Sequence, residues 1–218
     1  MDILTPDNIL SAVSHRLRES STDTSTRRIS FLNDAIRHIV GIHSFTWARE
    51  KQEITTVADQ QEYDVADDCR KVYQVYYDNE PLTPINYEDR ADYSVSSSYK
   101  YFYLTPDKTK IGFIKTPTED GDTIDVWYYQ QYQDINSTSD TFNINIPTYM
   151  LEPIVLYIKH LVHDSKRQRL DARNTIFDFV EAIKEAISKD VTRKPKDNPK
   201  QLPHPWKYLG FKRSYTRG

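Results

Sequence analysis

Six histidines, one cysteine, five glycines and several acidic pairs are the residues of this 218-residue chain with chemistry to offer. His160 and His163 lie one helical turn apart with Asp164 beside them, a spacing that could begin a metal site. Closure needs the usual ligand count, and the sequence names no further ligands. The pair therefore reads as helix surface, and no metal is expected. His38 and His43 fall near the end of a helix, where a cation favours the negative end of the dipole. His204 sits between prolines and reads as an interface residue. Cys69 lies in DDCRK, where Arg70 and Lys71 would lower its pKa and Asp67 and Asp68 oppose them. With no histidine in the same local motif it reads as structural, and a lone cysteine excludes an intrachain disulfide. There is no Gly-x-Ser-x-Gly elbow. None of the glycines forms a GxGxxG or Walker-type phosphate loop. The pairs Asp67/Asp68, Glu88/Asp89 and Glu119/Asp120 fall at turns, where carboxylates are solvated, and nothing selects two of them as a glycosidase dyad. No catalytic residue and no cofactor is expected. The chain reads as a non-enzyme.

The tyrosines are the next candidates. Apolar residues make up 38% of the chain even with 16 tyrosines included, which is low for a globular protein of this size. Tyrosine pairs hydrophobic area with a polar tip, which suits half-wet surfaces and interfaces. The runs Tyr99-Lys100-Tyr101-Phe102-Tyr103 and Trp127-Tyr128-Tyr129 place aromatics on both faces of a sheet. One reading is a stacking platform for sugars or single strands. The reading favoured here is that one face is core and the other meets a neighbouring subunit.

The basic residues point elsewhere. From Thr192 to Gly218 the chain reads TRKPKDNPKQLPHPWKYLGFKRSYTRG. Pro195, Pro199, Pro203 and Pro205 each fix φ and lack an N–H, and each pushes its predecessor toward extended backbone. No apolar period survives, so the segment cannot pack as a regular element of its own core. Fully stretched it spans roughly 80–90 Å at about 3.1–3.3 Å per residue. Eight basic residues against Asp197 give it a net charge of +7, leaving −10 on residues 1–191. A basic arm on an acidic body suits a neighbouring acidic protein or a second copy. A nucleic-acid-binding tail is the competing reading, and a wrap back over its own domain is the third.

Elements must position this arm. Thr5-Pro6 starts a helix whose apolar stripe is Ile9, Leu10, Val13 and Leu17, running to about Glu19. After the polar SSTDTST break, Ile29, Leu32, Ile36, Ile39 and Val40 define a second helix ending near Gly41. From Glu53 to about Tyr132 the period changes to 2, with strands expected over 53–57, 61–65, 71–77, 82–86, 99–104, 110–115 and 123–132. Glu88–Tyr93 reads as a helical turn, and 133–146 as a polar connector. A third helix begins at Pro147. A fourth follows a charged break at 165–168 and carries Leu170, Ile176, Phe177, Val180, Ile183 and Ile187. The expected fold class is therefore α+β, a four-helix bundle from 1–48 and 147–191 with an inserted antiparallel β-domain at 49–146, plus the extended C-terminal arm. No secretory leader is read at the N-terminus. No run approaches the ~20 apolar residues of a membrane span.

The segments SFTWAREKQEITTVADQQEYDV and VYQVYYDNEPLTPINYED carry a likeness. A Trp after the second helix, a strand, a turn of the form "agqqeYdlP" and a strand pair leading to "PLxxi" are matched by Trp47, Gln60, Gln61, Tyr63, Pro81 and Leu82. In this respect residues 25–95 resemble the head-to-tail adaptor (connector, or head-completion) proteins of tailed bacteriophages. The proline expected after "Ydl" is replaced here by Ala66-Asp67. The resemblance implies a structural virion protein made in the host cytoplasm. It implies a generally dodecameric homo-oligomeric ring under the portal protein, and a β-domain or loops facing the tail tube or nozzle. Genome DNA would pass through the lumen during ejection without sequence-specific binding. An extended C-terminus would grip the portal. The residues assigned to that grip are Arg193, Lys194, Lys196, Pro199, Lys200, Pro203, Trp206, Tyr208, Phe211, Lys212, Arg213 and Tyr215.

Overall fold

A computed structural model describes residues 2–17, 25–93 and 99–191. The chain divides into two compact units, one formed by residues up to Trp47 and from Tyr132 on, the other by Ala48–Gln131.

In the first unit, α1 spans Pro6–Leu17 and α2 spans Ser25–Ile42. The backbone N–H of Asn8 donates to Thr5 Oγ1 at 3.2 Å, so Thr5 caps α1 with Pro6 at its first position. α3 runs Leu151–Ser165 and α4 Arg169–Val191. Ile154, Val155, Ile158 and Val162 make α3 buried along its length, and α1, α2 and α4 each pack against it. The helices differ too much in length to form an even bundle. α1 has 12 residues and α4 has 23, so by a rise of about 1.5 Å per residue one is roughly half as long as the other. α1 and α2 touch only sparingly.

The stretch read as a polar connector belongs to this core. Tyr132, Ile135, Ile144 and Ile146 are all buried in it. Buried Asn33 on α2 holds the segment: its Oδ1 accepts from Tyr132 Oη at 2.7 Å and from Ile135 N at 3.2 Å, and its Nδ2 donates to the Ile135 carbonyl at 2.9 Å.

The second unit holds β1 (Arg49–Thr55), β2 (Glu62–Asp64), β3 (Cys69–Tyr77), β4 (Glu80–Pro81), β5 (Thr83–Ile85), β6 (Tyr101–Leu104), β7 (Lys110–Phe113) and β8 (Thr123–Gln130). They form two four-stranded sheets, ordered β1-β8-β3-β4 and β2-β7-β6-β5. Val75, Tyr77, Ile124 and Val126 of the first share a core with Tyr63, Phe102, Ile111 and Phe113 of the second. Alternation along β8 sends Ile124, Val126 and Tyr128 to one face and Asp125, Trp127 and Tyr129 to the other. Asp78 and Asn79, both at positive φ, close the two-residue β3–β4 hairpin.

The fold is α+β, but the expected four-helix bundle with an inserted antiparallel β-domain is corrected. α1, α2 and α4 gather around α3 while α1 and α2 barely touch, so the helices do not form the expected four-helix bundle. The sheets are not purely antiparallel, because β5 and β6 pair in parallel, Thr83 opposite Tyr101. Parallel pairing needs a long crossover, and residues 86–100 supply one through the 3-10 turn Glu88–Tyr93.

Candidate functional site

The twelve arm residues assigned from sequence lie outside the described residues; the point where their segment leaves α4 lies within them. Asp190, in the last turn of α4, is fully buried. Its carboxylate accepts from the Thr46 backbone N–H at 3.1 and 3.0 Å and from Thr46 Oγ1. Tyr149 Oη donates to it at 3.3 Å, and His43 Nε2 stands 3.8 Å away. Burial pushes this carboxyl up, but His43 and the Thr46 donors outweigh burial and hold it below the ordinary aspartate value. His43 packs edge-on against Phe45, which stacks on Trp47 at 5.1 Å. The family-type tryptophan therefore belongs to the cluster that fixes the end of α4. His43 directly follows α2, and its ring also faces Asp190. His38, within α2, stacks on Tyr157 at 4.5 Å.

His160 and His163 do not converge on a common point. His160 Nδ1 pairs with the Ala172 carbonyl at 2.9 Å, and His163 Nδ1 with Gln168 Oε1 at 2.7 Å. Among the described residues no group of three or more His, Cys, Asp or Glu is placed to hold a metal ion. The Cys69 thiol is pushed up to about 11 by burial and by Asp68, which keeps it protonated and poorly nucleophilic at neutral pH. Among the described residues no helix is long and apolar enough to cross a membrane.

The tyrosines of the β-unit differ in burial. Tyr63, Tyr77, Tyr103, Tyr128 and Tyr129 are buried, while Tyr73, Tyr87 and Tyr101 are half-buried. Tyr128 Oη donates to Asp68 at 3.0 Å, and burial together with that carboxylate raises its pKa. Tyr103 lies across Gly112, where an added Cβ would meet its ring at 2.2 Å. Its hydroxyl donates to Glu62 at 3.2 Å, and burial and Glu62 push it up to about 12.

Two outward tyrosines are braced by arginines. Arg49 lies 4.6 Å from the Tyr73 ring centre and Arg90 lies 3.8 Å from that of Tyr87. Both rings border a cleft of about 330 Å³ between β3, the β5 segment and the 105–108 turn. Its floor includes Val72, Ile85, Phe102 and Leu104. The register of β3 against β8 slips between Val72 and Gln74, leaving Tyr73 as a bulged residue. A bulge re-aims a side chain, and here the bulged residue is one that borders the cleft.

Neither the Asp190 anchor nor the cleft emerges from sequence reading. One signal was available for the first. An aspartate in a helix's last turn opposes the dipole, so it needs a partner elsewhere. The cleft had none, since its residues come from three separate segments.

The described residues thus form a helix-based unit and a small β-unit that leaves several aromatic side chains half-buried. The SU10 adaptor protein family profile matches residues 5–199, spanning both units and reaching into the proline-rich segment. The chain belongs to the SU10 adaptor protein family. It is thus a phage protein that contacts other head or tail proteins. No curated protein matches it.

Proposed function

We propose that this chain is the head-to-tail adaptor itself, a ring of identical subunits, generally twelve, seated between portal and tail. The family match over residues 5–199 carries this reading. Repeated heterologous contacts around an axis close a ring, and the ring continues the DNA channel through which the genome is ejected. The tail tube or nozzle lies below. The chain performs no catalysis and needs no cofactor, because its work is burial and symmetry.

The arm 192–218 grips the portal. Trp206, Tyr208, Phe211 and Tyr215 supply aromatic anchors, and its net charge of +7 steers it to an acidic surface. Each arm acts at high effective concentration once the body has docked. The buried Asp190 anchor supports this reading, since a strap transmits load only when its root is fixed. The test removes residues 192–218 and measures co-purification with portal rings. The shortened chain is expected to fold and to stay behind. Normal assembly by the shortened chain refutes the arm's role.

A further inference from the structure

The geometry points to a docking site for a proline-rich strand in the cleft between Tyr73 and Tyr87, filled by residues 199–205 of a neighbouring copy. The inference rests on the ring reading, which places copies side by side. Grooves walled by aromatic rings recognise polyproline II segments, because such segments arrive already extended and lose little entropy on binding. This cleft has that wall chemistry. Tyr73 and Tyr87 stand beside Pro84 and Pro106 over an apolar floor. Each tyrosine is held from a second side, Tyr73 by Tyr129 at 5.1 Å and Tyr87 by Tyr103 at 5.4 Å. With Arg49 and Arg90 on their faces as well, the rings are set before anything binds.

At about 330 Å³ the cleft sits at the small end of the range for ligand sites, enough for a short stretch and not a whole arm. The chain carries a matching stretch in PKQLPHP, residues 199–205, with Lys196 before it and Lys207 after it. Charge agrees at the scale of the unit: Glu88 and Lys108 both line the cleft, but residues 48–131 carry nearly twice as many acidic as basic residues, against a basic arm. Pro199 lies eight residues beyond Val191, so extended backbone lets the 199–205 stretch begin up to roughly 25 Å from the end of α4. Docking 199–205 leaves Trp206, Tyr208, Phe211 and Tyr215 free to continue to the portal. One arm then joins its neighbour and the portal in sequence.

The test uses particles in which every copy carries Glu88→Cys and Gln201→Cys on a Cys69→Ser background, oxidised and resolved on a denaturing gel. A ladder of chains joined copy to copy is expected. Adding Tyr87→Ala is expected to weaken the ladder about tenfold, the worth of one lost aromatic contact. Portal co-purification should persist in that variant, because its anchors lie beyond the cleft. Disulfides confined within single chains overturn donation between copies. No disulfide in particles that retain the chain overturns the cleft while leaving the adaptor reading intact. Absence of the unsubstituted chain from particles overturns the adaptor reading itself. If the double-cysteine chain does not assemble, a labelled peptide of residues 196–207 is titrated onto the intact wild-type chain. Saturable binding weakened about tenfold by Tyr87→Ala supports the site, and no binding into the millimolar range overturns it.

Discussion

A carboxylate in the last turn of a helix works against the dipole, so Asp190 is stabilised by something other than its position. Thr46, Tyr149 and His43 provide that stabilisation inside a fully buried pocket. Removing the charge with Asp190→Asn should cost about 1–3 kcal/mol in urea unfolding at neutral pH, the range for disrupting buried hydrogen bonds to a charged group. The sign of the pH dependence follows from the lowered pKa. In the unfolded chain the group titrates near its ordinary 3.8, and in the fold it titrates lower. Its stabilisation is therefore complete above the unfolded value and is lost as pH falls through the folded value. The gap between parent and variant should close on acidification below the usual carboxylate range. A gap that stays constant with pH would show that the charge contributes nothing. Gly112 offers a second residue-scale test. Gly112→Ala must displace the Tyr103 ring from Glu62 and Tyr87, at about 1–3 kcal/mol for an overpacked site. In a Tyr103→Ala background most of that cost should vanish, and an unchanged cost in the double-mutant cycle would break the assigned contact.

At the scale of elements, the segment 132–146 shows how burial can hide in polar sequence. YQDINSTSDTFNINI looks like a loop because its apolar residues are far apart and follow no period. Four of them reach the helical core because Asn33 satisfies the backbone at Ile135. Asn33→Ala leaves those groups unpaired and is expected to destabilise the helical unit by about 1–3 kcal/mol, read from its thermal or urea transition. Helices and most strands were legible, since Ile29, Leu32, Ile36 and Ile39, or Ile124 and Val126, keep a clean period. On α4 the same method failed locally. Leu170 and Phe177 were read as stripe residues, yet they are 71% and 42% exposed. Ala172, Thr175 and Phe179 take the inward positions instead, and the first two, small or polar, leave no hydrophobic mark. The parallel β5–β6 pair was hidden for a different reason. Strand direction depends on where a crossover returns the chain, and no local pattern encodes that. The cleft shares this cause, because it exists only once three distant segments have met.

At the scale of the whole molecule, the acidic body and basic arm set the terms of assembly. Residues 1–191 carry −10 and residues 192–218 carry +7, so the proposed capture of the arm would be electrostatically steered. Association of the chain with portal rings should slow steeply as salt is raised and the Debye length shrinks from about 10 Å at 0.1 M toward about 3 Å at 1 M. Dissociation should change less, because aromatic anchors set it. Stopped-flow association at several salt concentrations checks this, and a salt-independent rate would remove the steering. The proposed joint between head and tail is tested by electron-microscopic imaging of particles made with and without this protein. A rotationally symmetric collar is expected at the portal vertex, and it should disappear, along with the attached tail, when the protein is absent. Tails still joined to heads in its absence, or density for it anywhere other than that vertex, would rule out that role.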